Sequence, residues 1–182
     1  LEPDARTEED AAAFALPDAW HNEFWPQNGG YPNHAMQHLA FNVGDFKQAW
    51  SVNIGQGSTD ELPLVAQPIV VDGRIYALDT DSQLSAYNTS NGKKLWTLNI
   101  RDKDEDDPVI GGGIAFSNAV LYATNGYDEL LAVNAENGEI FWRKDLPAPS
   151  RAAPTVLDNR VFVTTLDSRL LALDAMNGSL LW

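Results

Sequence analysis

The chain has 182 residues, of which 44% are hydrophobic and 21% are charged, a composition typical of a folded soluble protein. Its net charge of −14, with only 12 lysines and arginines, argues against nucleic-acid binding, which needs a basic surface. The absence of cysteine excludes disulfides, thiolate metal sites and a cysteine nucleophile. No apolar run approaches the roughly 20 residues of a membrane helix, so we expect no direct membrane span.

Residues 1–45 form the first predicted unit, an acidic tether followed by an irregular segment. Residues 7–16 could start a short helix that ends before Pro17. A loose tether is at least as compatible with the sequence, because so short a helix is marginal in water. We expect four aromatic side chains to pack the rest of the segment on the body of the protein: Trp20, Phe24, Trp25 and Tyr31.

Two histidines in this segment raise the question of a metal site. His34 and His38 are four residues apart, and on a helix that spacing can hold a metal ion. No carboxylate accompanies them in a matching motif. We therefore interpret them as surface or packing residues and expect no metal.

Residues 46–54, FKQAWSVNI, form the second predicted unit, a strand that carries Trp50. Trp50 lies 46 residues before Trp96 and so falls in the register of the repeats described next, yet no full repeat precedes it. We predict an orphan outer strand.

Three repeats fill residues 64–182 and define the fold. They read PIVVDGRIYALDTDSQLSAYNTSNGKKLW, IAFSNAVLYATNGYDELLAVNAENGEIFW and PTVLDNRVFVTTLDSRLLALDAMNGSLLW. Each contains strand-like segments separated by turn residues, and their tryptophans are 46 and then 40 residues apart. Four short strands for every 40–46 residues match the blade of a β-propeller. The sequence therefore predicts an all-β protein made of four-stranded antiparallel blades.

An Asn-Gly pair occurs at one register in all three repeats, before the predicted fourth strand. Both residues tolerate positive φ, so we predict a type I′ hairpin turn at each pair. Asp72-Gly73 and Asp158-Asn159 are predicted to turn the chain between the first two strands of their repeats. The glycines of the three Asn-Gly pairs are Gly92, Gly138 and Gly178.

A tryptophan follows each of these glycines by four residues. A propeller blade must bury both faces against its neighbours, and a large flat side chain at a fixed register can fill the space between blades. Truncating such a buried tryptophan costs about 3–5 kcal/mol. We therefore interpret the tryptophans as structural residues that dock one blade on the next: Trp50, Trp96, Trp142 and Trp182.

The loops between the repeats carry the remaining candidates. Residues 102–107 are rich in aspartate, but their spacing is not that of an EF-hand, so a solvated loop is favoured over a calcium site. Gly111–Gly113 precede a strand and open no helix, which favours close backbone packing over phosphate binding. The loop at 145–152 offers Leu146 as an apolar anchor and Arg151 as a charged contact for a partner. An equally compatible interpretation places Arg151 under the next blade.

The pattern A-x-[DN]-x-x-[TN]-G-x-x-x-W, present as AYNTSNGKKLW, AVNAENGEIFW and ALDAMNGSLLW, resembles the quinoprotein-type, or PQQ-like, propeller repeat. Some members of that superfamily bind pyrroloquinoline quinone and oxidise alcohols or sugars, whereas others are scaffolds without a cofactor. The stretches WPQNGGYPNHAMQHLA, AWSVNIGQGS and SRAAPTV further resemble the alphaproteobacterial type of the BamB family of outer-membrane assembly lipoproteins.

The BamB resemblance implies an eight-bladed propeller that is not an enzyme and that has no cofactor. It also implies that an N-terminal strand closes the ring by completing the last blade, a role that residues 46–54 would fill. Such a protein lies on the periplasmic face of the outer membrane, is lipid-anchored, binds the POTRA domains of BamA and assists outer-membrane protein folding. The sequence departs from the family in two ways. It lacks the lipid-bearing cysteine, and it has room for an incomplete arc of about three blades, so we expect a fragment whose partners include the remainder of its propeller.

Two alternatives remain open. A quinoprotein dehydrogenase needs a calcium site and an aspartate base, and many stack the quinone on a disulfide, whereas this chain has no cysteine and no recognisable set of calcium ligands. A generic extracytoplasmic protein-binding propeller is compatible with the repeats alone. No Ser/His/Asp set, paired carboxylates or phosphate-binding loop stands out, so no catalytic residue is predicted.

Overall fold

A computed structural model describes residues 16–41, 44–101 and 107–182, and within them it contains eleven strands and no helix. The strands form three antiparallel sheets, one for each repeat. Blade 1 contains β1 Ile69–Val71, β2 Arg74–Leu78, β3 Gln83–Asn88 and β4 Lys94–Asn99. Blade 2 contains β5 Ile114–Ser117, β6 Val120–Thr124, β7 Glu129–Asn134 and β8 Ile140–Asp145. Blade 3 contains β9 Thr155–Leu157, β10 Arg160–Thr164 and β11 Leu170–Asp174.

Neighbouring strands within a blade are consecutive in the sequence, and the first strands of adjacent blades contact each other. This is the arrangement of a propeller, in which β1, β5 and β9 are the inner strands. The prediction of antiparallel propeller blades is confirmed. The predicted tether at residues 1–15 and most of the acidic loop, residues 102–106, lie outside the described residues.

The first hairpin of each blade is a two-residue turn. Both central residues have positive φ: 51° and 72° at Asp72-Gly73, 50° and 63° at Asn118-Ala119, and 49° and 58° at Asp158-Asn159. Positive φ at both central positions is what a type I′ turn requires, and it matches the twist of the flanking strands. The predicted turns at 72–73 and 158–159 are therefore confirmed.

The predicted type I′ turn at the Asn-Gly pairs is wrong. In blade 1 only Gly92 of the pair has positive φ, and its amide donates to the carbonyl of Asn88 at 2.9 Å. The hairpin thus has a loop of four residues rather than two. The side chain of Asn88 accepts from the amide of Ser90 at 2.8 Å and so stabilises this longer loop. Blades 2 and 3 repeat it, with Gly138 and Gly178 bonded to Asn134 and Asp174.

The hydrophobic core lies between the blades. Successive side chains of β7 point to opposite faces of blade 2, as strand geometry requires. Leu131 and Val133 belong to the cluster shared with blade 1, whereas Leu130 and Ala132 belong to the cluster shared with blade 3. All four are fully buried, so blade 2 is covered on both faces.

The segment 46–54, predicted as a closing strand, is not a strand in the structure. A strand needs a hydrogen-bonded neighbour, and the backbone of 46–54 has none within the part of the chain that the structure describes. The predicted fourth strand of blade 3 is likewise reduced to a single bridge between Leu173 and Leu180.

The segment 16–41 is irregular, as predicted, and one isolated bridge, between Trp25 and Val70, joins it to a blade, whereas two others lie within the segment. Trp20 lies beside Tyr31, with ring centroids 6.3 Å apart. Phe24, however, is 42% exposed and does not pack as expected. His34 and His38 are not on a helix, because no helix forms in the described ranges, and the imidazole of His38 lies 2.7 Å from the carbonyl of Pro17.

Candidate functional site

Each docking tryptophan lies against the glycine of the next Asn-Gly loop. A Cβ built on Gly92 would stand 2.6 Å from Cε3 of Trp50, and one on Gly138 would stand 2.8 Å from Cε3 of Trp96. At Gly178 the corresponding distance to Trp142 is 3.0 Å. Only glycine leaves room for the ring, which explains why the glycine and the tryptophan both recur at a fixed position in every repeat.

The indole N–H groups add a hydrogen bond to this packing. Trp50 donates to the carbonyl of Thr89 at 2.8 Å, and Trp96 donates to the carbonyl of Ala135 at 3.1 Å. Thr89 and Ala135 occupy the same position in their loops. Trp50 therefore docks on blade 1 in the way that Trp96 docks on blade 2, although its own segment is not a strand.

A tyrosine on the second strand of a blade shares this docking site and has no counterpart in the sequence-based predictions. The hydroxyl of Tyr76 donates to the carbonyl of Ala135, and that of Tyr122 donates to the carbonyl of Ala175, each at 3.1 Å. Burial raises the pKa of both phenols above 10.0. The sequence did contain a signal for this contact, because an aromatic residue recurs at the same position of each repeat, at 76, 122 and 162.

The prediction that Trp182 docks between blades does not hold in this structure. Its side chain is 59% exposed and packs beside Phe162, with ring centroids 6.2 Å apart. Its carbonyl accepts from the amide of Ala172 at 3.0 Å, so the residue keeps its place at the edge of blade 3. The described residues contain no further Asn-Gly loop against which the ring could lie.

Leu146, predicted as an exposed anchor, is buried. It is 5% exposed and belongs to the cluster between blades 2 and 3. The sequence carried a signal for this, because Ile100 is also buried and both residues follow a docking tryptophan by four positions. The apolar residue therefore completes the blade contact and is not available to a partner.

Arg151 is exposed and does not lie under the next blade. The loop that carries it is held to the loop between β10 and β11, because the amide of Leu166 donates to the carbonyl of Pro149 at 2.9 Å. Leu166 is 54% exposed. We call the exposed surface of these two loops the rim patch; its members are Pro147, Arg151, Leu166, Asp167 and Arg169, of which Arg169 forms an ion pair with Asp167 at 3.0 Å.

A buried polar network ties blade 2 to blade 1 near this rim. The side-chain amide of Asn125 donates to Glu129 at 2.7 Å and to the carbonyl of Ile100 at 3.1 Å. Arg143 forms an ion pair with Glu129 at 2.7 Å. Because every polar group in this network has a partner, we interpret it as structural.

The segment Trp25-Pro26-Gln27, which we call the strap, crosses the inner strands of all three blades. Trp25 exchanges two backbone hydrogen bonds with Val70 in β1, at 2.7 and 3.0 Å, and the carbonyl of Pro26 accepts from Phe116 in β5 at 2.7 Å. The side-chain amide of Gln27 then donates to the carbonyl of Val156 in β9 and accepts from its amide, at 2.8 and 3.0 Å. These three partners occupy equivalent positions, so the strap fixes the spacing of the blades.

Gly112 and Gly113 allow a further close approach at the start of β5, as predicted. A Cβ on Gly113 would stand 2.6 Å from the Cβ of Ala153, and one on Gly112 would overlap Thr124. Within the described ranges, no three His, Asp or Glu side chains come together as metal ligands. Those ranges also contain no helix that is long and apolar enough to cross a membrane.

Two family models match the sequence. The model described as outer membrane protein assembly factor BamB matches residues 101–182, and the model described as the β-propeller domain of glucose, ethanol and alcohol dehydrogenases matches residues 34–119. No curated protein matches the chain.

Solved structures of both kinds resemble the fold. The quinohemoprotein alcohol dehydrogenase of Comamonas testosteroni superposes with a TM-score of 0.73 at 23% identity, covering 90% of this chain and 27% of that one. A quinohemoprotein alcohol dehydrogenase of Pseudomonas putida HK5 gives 0.72 at 22%, covering 88% and 26%. BamB from Moraxella catarrhalis gives 0.56 at 22%, covering 70% and 38%.

At these identities the likeness shows the fold alone, and the chain spans about a quarter to two fifths of the length of these structures. The two family models together extend from residue 34 to residue 182, over every blade and the segment that carries Trp50. Together with the repeated sequence pattern and the packing of tryptophan on glycine, the two family models identify the chain as a PQQ-like β-propeller repeat protein, of which these residues form a three-blade arc.

Proposed function

We propose that the protein is a non-catalytic scaffold of the BamB type that binds the POTRA domains of a BamA-type protein and assists the folding and insertion of outer-membrane proteins. The observation that carries the proposal is the rim patch, which lies within the part of the chain matched by the BamB model. The same resemblance supports a periplasmic location and a lipid anchor at the outer membrane.

The rim patch has the composition of a protein-binding surface. It combines an exposed leucine with arginine, and arginine is among the residues that are enriched at protein interfaces and that contribute most to binding energy. The two loops are held together by the Leu166 amide, so little order has to be gained on binding. Because Asp167 pairs with Arg169, Arg151 and Leu166 are the charged and apolar contacts that the patch offers, and they favour a partner that presents acidic and apolar side chains.

The test is the double substitution Arg151→Ala and Leu166→Ala, made in the protein encoded by the complete reading frame. Binding to purified POTRA domains should weaken about tenfold or more, since losing about 1.4 kcal/mol changes the dissociation constant by that factor. The matched control is Lys94→Ala with Leu95→Ala, an exposed cation and an exposed leucine on β4. Unchanged affinity in the rim variant, with a normal far-ultraviolet circular dichroism spectrum, would contradict the proposal.

The second candidate is a quinoprotein dehydrogenase. It is supported by the dehydrogenase model over residues 34–119 and by the larger share of this chain that superposes on the quinohemoprotein enzymes. The calcium ion that accompanies the quinone needs several oxygen ligands, and within the described residues no three His, Asp or Glu side chains come together. Turnover of a dye acceptor by the complete protein, supplied with alcohol, the quinone and Ca²⁺, would establish this function and overturn the first.

A further inference from the structure

Five Asn-Gly pairs occur in the chain, and all are candidates for the same spontaneous chemistry. The glycine amide nitrogen attacks Cγ of the asparagine, the Cγ–Nδ2 bond breaks, and ammonia leaves with the proton from the glycine amide. Water then opens the cyclic imide to aspartate or isoaspartate. The reaction needs no cofactor or oxidant, and it makes asparagine a thermolabile residue. The pairs are Asn28-Gly29, Asn91-Gly92, Asn125-Gly126, Asn137-Gly138 and Asn177-Gly178.

The three pairs in the blade hairpins are protected by their hydrogen bonds. The attacking amides of Gly92, Gly138 and Gly178 donate to the carbonyl four residues earlier, at 2.9, 2.9 and 2.8 Å. The side-chain oxygens of the three asparagines also accept from a backbone amide two residues later, at 2.9, 2.9 and 2.8 Å. Both reacting groups are therefore held, and the loop must open before they can meet.

Asn125 is protected in another way. Its side chain is fully buried, and the leaving nitrogen donates to Glu129 and to the carbonyl of Ile100. The attack would break two hydrogen bonds of the network that joins blades 1 and 2.

Asn28-Gly29 differs from the other four pairs. Asn28 is exposed, and neither its side chain nor the amide of Gly29 has a hydrogen-bond partner among the residues that the structure describes. The pair forms the two-residue loop between Gln27 and Gly30, with Gly29 at a φ of 76°. The imidazole of His34 packs on this loop, so closely that a Cβ on Gly29 would overlap its Nδ1. The ring contacts the loop by packing, and no hydrogen bond joins it to the Gly29 amide among the described residues.

We propose that Asn28-Gly29 is a selective deamidation site, because Asn28 is exposed and the reacting groups lack the hydrogen bonds that hold those of the other four pairs. The position matters because Asn28 directly follows the strap. Isoaspartate inserts an additional methylene into a backbone loop that two hydrogen bonds between Gln27 and Gly30 close at 2.9 and 3.1 Å. The longer backbone displaces Gln27 from β9, so the modification loosens the hold of the strap on blade 3.

The experiment follows all five pairs by peptide mass spectrometry in the 182-residue protein, incubated folded or in urea. In the folded protein Asn28 should react at least about tenfold faster than the hairpin pairs, because each hairpin pair needs the opening of two further hydrogen bonds, on the reacting groups themselves, before those groups can meet. Equal protection of Asn28 and Asn91 in the folded protein would overturn the proposal.

One variant sharpens the result. Asn28→Gln should abolish the product at position 28 while the other four pairs react as before; a product that persists in this peptide would assign the reaction to another residue.

Discussion

The close contact between Trp96 and Gly138 allows us to predict how much a methyl group added at position 138 would lower the free energy of unfolding. Alanine at position 138 would adopt a φ of 78°, and the left-handed conformation costs an L-residue about 1–2 kcal/mol. Its Cβ would also stand 2.8 Å from Cε3 and 3.1 Å from Cδ2 of Trp96. Overpacking of this kind costs about 1–3 kcal/mol. Gly138→Ala should therefore lower the free energy of unfolding by about 2–5 kcal/mol.

The matched control is Gly73→Ala, which shares the backbone conformation without the contact. Gly73 has a φ of 72°, and the nearest atom to its built Cβ is Oγ1 of Thr89 at 3.9 Å. Ala119 already adopts a φ of 63° at the corresponding turn of blade 2. The substitution should cost only the backbone component, about 1–2 kcal/mol.

Urea unfolding measures both variants, and an unchanged m-value shows that the denatured state is comparable. The steric component should disappear when Gly138→Ala is made in a Trp96→Ala background, which a double-mutant cycle reports as a coupling energy. If Gly138→Ala and Gly73→Ala cost the same, or if the cycle gives no coupling, the docking account of the Trp-Gly pair is refuted.

Three further predictions concern the strap, a buried phenol and the rim. Gln27→Ala removes both side-chain hydrogen bonds to β9 and leaves two backbone groups unpaired, so urea unfolding should show a loss of about 1–3 kcal/mol; no loss would contradict the bridging role of the strap. Burial raises the pKa of Tyr76 in the folded protein, so the stabilisation by its neutral phenol is present below pH 10.0 and is lost as the pH rises through the folded pKa. Tyr76→Phe should therefore reduce the fall in the free energy of unfolding at high pH. An equal fall in the variant would contradict this role of Tyr76. Leu146→Ala should lower the free energy of unfolding by about 2–5 kcal/mol, whereas Arg151→Ala should leave it nearly unchanged; equal costs would be inconsistent with their burial.

The blades were predictable because their sequence signals are local and repeated. Alternating strand residues, two-residue turns and a tryptophan at a fixed register all act within one repeat, and three copies reinforce one another. The Asn-Gly loops show the limit of such signals. The pair is favoured in type I′ turns, but the loop length here is set by the preceding Asn88, whose side chain bonds to Ser90 and stabilises a four-residue loop.

The strap was beyond prediction from sequence because its order depends on distant partners. Trp25 and Gln27 are bonded to residues 45 and 129 positions further along the chain, in different blades. The segment has neither strand periodicity nor a turn signal that specifies those partners. The burial of Leu146, by contrast, could have been predicted from a local signal. Leu146 follows Trp142 by four positions, as the buried Ile100 follows Trp96, but its place in a loop suggested that it was exposed.

The features that recur from blade to blade are contacts between blades, and they explain why the same arc superposes on BamB and on quinohemoprotein alcohol dehydrogenases. A tryptophan on a glycine, a tyrosine on a carbonyl and an apolar residue after the outer strand specify how blades stack, whatever the propeller binds. Function must then depend on loops that differ from blade to blade. The segment that joins blades 2 and 3, residues 146–154, is shorter than residues 100–113 between blades 1 and 2 and carries the exposed Arg151. A change of function by evolution or design should therefore require substitutions in these loops and leave the Trp-Gly register untouched.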